Sequence, residues 1–242
     1  MSKPTIVLVH GAWADGSSWN AVANELRTQG FTILTPTNLL RGVASDAAYV
    51  ASFLAQRTSG PVVLVGHSYG GFVITNGGTG GGDVRALVYV DAFAPDDGET
   101  VFQLLGGSGS AFDVPDPTAV FDIVGYPGGP EGDAEAFLKP NAVHTSFAQD
   151  LPEADRWLVV ESQRPITLGA NTVGSGAPAW KTLPSWAVVG TEDKVIPPAL
   201  QRRIMERAGA TISEVAGSHV SMVSQPQATI DAILAAVAAV GD

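Results

Sequence analysis

Apolar residues follow two rhythms along this chain. Short runs at 5–9 (TIVLV), 31–34 (FTIL), 61–65 (PVVLV), 86–90 (ALVYV) and 186–189 (WAVV) are almost unbroken, with a weaker one at 211–215 (TISEV). A run without polar alternation predicts a strand covered on both faces. Between these runs the spacing changes to three and four. Trp19, Val22, Ala23 and Leu26 share one side of a helix over 17–29, and Gly30 ends it. Tyr49, Val50, Phe53 and Leu54 do the same over 45–57, with Ser45 as the cap. Pro197 and Pro198 open a helix reaching about Ala208, and 225–240 is an alanine-rich closing helix. Strands alternating with helices predict an α/β fold, a mostly parallel sheet of about six strands with helices on both faces. Right-handed crossovers then gather the C-terminal strand ends along one edge, where open α/β sheets hold ligands.

One region breaks the rhythm. Residues 95–181 offer no convincing strand, cluster glycine and proline (LLGGSGS, VGYPGGPEG, NTVGSGAP), and carry helical pieces at 134–138 and 154–161. A stretch of that length is not a plain loop. Trp157, Trp180 and several phenylalanines give it enough apolar surface to pack. The expected organisation is a core of 1–94 and 182–242 with a helical cap insertion, 95–181, over the sheet edge. The segment 76–82 (NGGTGGG) reads as a loose helix end.

Composition narrows the chemistry. The 242 residues are 45% hydrophobic and 15% charged, which is globular and not disordered. Asp and Glu number 24 against 13 Lys and Arg, a formal charge of −11. That excludes a nucleic-acid partner and an anionic membrane surface, both of which need clustered cations. No apolar run approaches the roughly 20 residues of a membrane span. The start, MSKPTIVLVHG, reads as the first core strand and not as a signal peptide, so a cytoplasmic protein is expected. The absence of cysteine removes disulfides, thiolate metal sites and a cysteine nucleophile. The four histidines lack ligand spacing, so neither a metal nor another cofactor is expected. The oligomeric state stays open, a homodimer included.

The stretch VGHSYGG at 65–71 joins the third apolar run to a helix and matches G-x-S-x-G. A strand-to-helix turn this sharp lifts the Ser68 hydroxyl above the sheet edge, and glycine at Gly66 and Gly70 avoids collisions there. No phosphate-binding glycine pattern follows the first strand. A serine hydroxyl needs a base. His67 adjoins the serine and points elsewhere, His10 anchors the loop after the first strand, and His144 lies in the cap. His219, in AGSHVSM after the last strand, reaches the right edge. The base needs a carboxylate. Asp193 in VVGTEDKVIP gives the order Ser, Asp, His, and Asp91 at the end of LVYV is its rival. Glu192 is expected to face solvent. Oxyanion donors are expected from the backbone N–H groups of Tyr69 and Ala12, the latter in HGAW.

Together LVHGAW, GHSYGG, GTEDKVIP and GSHVSM, in that order over the whole chain, resemble the α/β-hydrolase fold superfamily. Within it the chain is similar to small bacterial esterases allied to plant methylesterases and hydroxynitrile lyases. The resemblance implies a Ser68–His219–Asp193 triad, an oxyanion hole from Ala12 and Tyr69, and a mostly apolar pocket under a helical cap. The lyases carry threonine after the first-strand histidine and lysine after the catalytic one. Gly11 and Val220 stand there in this chain, which favours hydrolysis. The expected function is cleavage of small to medium, largely apolar carboxylic esters through an acyl-enzyme. The alternatives are a cofactor-free perhydrolase, lyase or dioxygenase, and a non-enzymatic ligand receptor.

Overall fold

Each apolar run becomes a strand of a single sheet in the computed structural model, which describes residues 3–240. In chain order the first half gives β1 (Thr5–Val9), α1 (Asn20–Thr28), β2 (Ile33–Leu34), α2 (Val43–Arg57), β3 (Pro61–His67), α3 (Gly70–Gly77) and β4 (Asp83–Val90). An insertion follows, with α4 (Val101–Leu105), β5 (Phe121–Val124), β6 (Glu135–Leu138), α5 (Pro140–Ala142), α6 (Glu153–Ser162), β7 (Ile166–Thr167) and α7 (Leu168–Thr172). The chain then closes with β8 (Ser185–Gly190), α8 (Pro198–Arg207), β9 (Thr211–Val215), α9 (Ser221–Ser224) and α10 (Pro226–Val240).

The sheet has six strands in the order β2-β1-β3-β4-β8-β9, every neighbouring pair parallel. From β1 the chain steps outward to β2, then returns to place β3 on the other side of β1. That reversal opens a crevice between the C-terminal ends of β1 and β3. It also sends successive helices to opposite faces. α1 packs with α10, which lies against β3, β4 and β8, while α2 packs with α3, which lies against β1 and β3. The residues of β1 from Ile6 to Val9 and of β3 from Val62 to Val65 are fully buried, as strands sandwiched between helices must be. No helix among the described residues is long and apolar enough to cross a membrane.

The structure corrects the reading of 95–181. Three short strands there form a second, antiparallel sheet in the order β5-β6-β7. Residues 134–138, expected as helix, are mostly β6. Alanine, glutamate and leucine favour helix in isolation, but Ala136 and Leu138 alternate inward, both pair with β5, and Ala136 pairs with β7 as well. The expected helix at 154–161 is α6. A second correction concerns Ser45, which does not cap α2. The helix begins earlier, and Asp46 inside its first turn accepts from the backbone N–H groups of Arg41 and Gly42.

Candidate active site

Segments that follow three strands, β3, β8 and β9, converge at this edge of the sheet. β3 leads through His67 into Ser68, whose φ of 53° is left-handed and unusual for a residue with a side chain. Backbone bonds hold the strain: Ser68 N–H donates to Val90 O, and Ser68 O accepts from Gly71 and Phe93. The glycines on either side are sterically required. A Cβ on Gly66 would lie 2.6 Å from Gly70 O, and one on Gly70 would lie 2.6 Å from Val9 O. The loops after β8 and β9 bring Asp193 and His219.

Ser68 Oγ lies 2.8 Å from His219 Nε2, and His219 Nδ1 lies 2.8 Å from Asp193 Oδ2. All three side chains are buried, Ser68 at 3% exposure and His219 at 0%. Asp193 Oδ1 also accepts from the N–H groups of Val195 and Ile196, and its Oδ2 from Gln201 Nε2. Every partner of Asp193 except the histidine is a fixed donor. A single proton therefore lies between Asp193 and Nδ1, which leaves Nε2 to accept from the Ser68 hydroxyl. Burial pushes the His219 imidazole down to about 3, so it is neutral at neutral pH. Burial pushes Asp193 well above the usual carboxylate range, opposed by the Ile196, Val195 and Gln201 bonds.

The other histidines take the places expected from their positions. His67 Nε2 donates to the backbone oxygen of His219 at 2.7 Å and tethers the loop carrying it. His10 Nε2 accepts from Asn38 N–H while its Nδ1 donates to Gly11 O, which anchors the first loop. Burial lowers the pKa of both. His144 sits in the insertion against Trp157. Glu192 is exposed. Asp91, the rival acid, is buried but directs its oxygens to Gly190 N–H and Ser221 N–H instead of to the imidazole.

Ala12 and Tyr69 border the same cavity as Ser68. Among the described residues, neither backbone N–H donates to a protein acceptor. The next amide along, Trp13 N–H, is engaged by Arg164 O at 2.8 Å. The cavity has a volume of about 650 Å³ and is walled by both the core and the insertion. Trp13, Phe93, Phe102, Phe112, Phe121 and Ile166 give it an apolar surface. Trp13 stacks on Phe121 at 5.6 Å and meets Phe112 edge-on. No Lys, Arg or His lines it, and Asp113 is the one charged residue that does, among the described residues.

Some of this was not read from the sequence. Gln201 holds Asp193 from α8, and the Tyr69 hydroxyl donates to buried Asp46 on α2 at 2.9 Å. Burial first, and then the Asp46 charge, push the Tyr69 phenol up. Neither contact has a local sequence signature: Tyr69 and Asp46 lie on separate elements, and Gln201 meets Asp193 through the turn from a loop into α8, which no helical or strand periodicity records.

Comparison with known proteins agrees with this architecture. A carbendazim hydrolyzing esterase from Nocardioides sp. (strain SG-4G) is 38% identical over 117 residues, a match spanning 41% of this chain and 46% of that protein. The crystal structure of polyneuridine aldehyde esterase superposes with a TM-score of 0.80 at 20% identity, covering 97% of this chain and 99% of that one. A pyrethroid hydrolase from Sphingobium faniae JZ-2 superposes at 0.74 with 22% identity, covering 98% of each chain. The alpha/beta hydrolase family matches over residues 6–232, and with that extent of agreement the chain belongs to the alpha/beta hydrolase family.

Proposed function

We propose that this protein is a serine carboxylic ester hydrolase acting on small to medium, uncharged, largely apolar esters. The observation that carries the reading is the buried hydrogen-bonded line from Ser68 through His219 to Asp193, opening on an apolar cavity. His219 takes the Ser68 proton as Oγ attacks the ester carbonyl. The free Ala12 and Tyr69 amides receive the developing oxyanion, each worth about 3 kcal/mol of transition-state stabilisation. His219 then protonates the departing alcohol, and later activates the water that releases the acid. The insertion, residues 95–181, serves as the cap that supplies most of the apolar wall.

Two further observations support the reading, one on substrate charge and one on reaction type. Among the described residues, the cavity lining has no cation to bind a carboxylate. Val220, buried beside His219, offers no charge to a departing anion such as cyanide, which favours hydrolysis over the lyase reaction.

Short p-nitrophenyl esters test the reading by stopped flow. A burst of one p-nitrophenol per protein, lost in Ser68→Ala, is expected. A fluorophosphonate probe should label Ser68 and no other serine. Absence of both turnover and labelling would overturn the proposal.

A further inference from the structure

Asp91 is a carboxylate at 0% exposure that faces neither the cavity nor the imidazole. It directly follows β4 and lies in the left-handed region, with φ of 44°. Its two oxygens serve two different loops. Oδ1 accepts from Gly190 N–H at 2.7 Å, where β8 ends three residues before Asp193. Oδ2 accepts from Ser221 N–H at 3.0 Å, two residues after His219. One rigid planar group thus spans the edge from β4 across β8 to the loop that follows β9. The same two loops are joined a second time by Glu192 N–H donating to Gly217 O.

The geometry points to Asp91 as a positioning residue for the proposed reaction: it ties the Asp193 loop to the His219 loop and so holds the hydrogen bond between them in register. The inference rests on the esterase reading. Burial, and after it the neighbouring Asp193 charge, push Asp91 well above the usual carboxylate range. Burying an acid carries that penalty, and here the hydrogen bonds that its two oxygens accept from the amides of two separate segments offset part of it. The need is for two acceptors on one fork. Asparagine supplies one acceptor and turns a donor toward the other amide, and alanine supplies neither.

The test is Asp91→Asn and Asp91→Ala, read by ester kinetics and by the low-field proton resonance of His219 Nδ1–H in water. Asp91→Ala should lower kcat about a hundredfold and Asp91→Asn about tenfold, as expected for small misplacements of a base, with KM within about twofold. The resonance should move upfield and exchange faster in the same order. A lowered Tm with kcat and the resonance unchanged would reduce Asp91 to a framework role and overturn the inference. An Asp91→Asn protein that does not fold would overturn it too, as would absence of the resonance from the wild type. The resonance needs no substrate, so a failure of the esterase reading and a failure of the brace are seen separately.

Discussion

Asp193 accepts hydrogen bonds from Val195, Ile196, Gln201 and His219, and that saturation decides what a one-atom change there does. In Asp193→Asn the new amide nitrogen must face a donor. If the oxygen stays with the two backbone amides, the NH2 group confronts Gln201 Nε2 and His219 Nδ1. The imidazole is then driven to the opposite tautomer, with its proton on Nε2 against Ser68. We expect kcat for a p-nitrophenyl ester to fall about 10⁴-fold, the loss known for this tautomer error, with KM little changed. A loss below tenfold would mean that Asp193 does not set the tautomer. The pH profile follows from the same residue pair. As the proposed base His219 must be neutral to act, and burial lowers its pKa from 6.5 to about 3. Protonation therefore removes activity on the acid side, and lowering the pKa moves that limb to more acid pH. The acid limb of kcat/KM should lie below the ordinary 6.5; a limb above 6.5 would contradict a neutral buried base.

The elements differed in how openly the sequence displayed them, for physical reasons. β1, β3 and β4 are sandwiched between helices, so each is written as an apolar run that admits one interpretation. G-x-S-x-G was equally legible, because the turn it encodes is sterically demanding over five consecutive residues. The order of Ser68, Asp193 and His219 could be read because each follows a strand. β5, β6 and β7 were hidden because a strand of two to four residues in a small antiparallel sheet has almost no periodicity of its own. Its identity comes from partners such as Phe121 and Leu138, which pair across the sheet. The link that Asp91 makes between the Asp193 and His219 loops was hidden for the same reason, since lateral contacts across parallel strands leave no local pattern. Trp13 shows how the hidden element is tied to the legible one. Its φ is 58°, its N–H donates to Arg164 O, and its indole Nε1 donates to Ala136 O in β6. Trp13→Phe keeps the stack on Phe121 and removes the indole donor. We expect a loss of about 1–2 kcal/mol, seen as a Tm drop of about 2–8 °C for a chain this long. The KM for apolar esters should rise while kcat changes less. An unchanged KM would detach the β6 contact from the shape of the cavity.

At the scale of the whole molecule, a charge of −11 surrounds a cavity that no cation lines among the described residues. An approaching anion meets repulsion outside and finds no ion pair inside to offset its desolvation. A neutral ester of equal size meets neither obstacle and gains from the aromatic wall. The field outside is screened by salt over a Debye length of about 10 Å at 0.1 M, whereas the missing cation inside is not. The two contributions can therefore be separated with one substrate pair, an aryl ester ending in a methyl ester and its analogue ending in a free carboxylate. kcat/KM for the neutral compound should be flat between low and high ionic strength. For the anionic compound it should be lower throughout and rise severalfold with added salt, because screening removes the exterior repulsion. The remaining deficit at high salt measures the interior contribution. Introducing a cation at the one acidic lining residue, Asp113→Lys, should shrink that remaining deficit and leave the neutral ester unaffected. Equal rates for the two esters at low salt would show that charge plays no part in selection and would overturn the uncharged part of the proposal, leaving only the apolar wall to select.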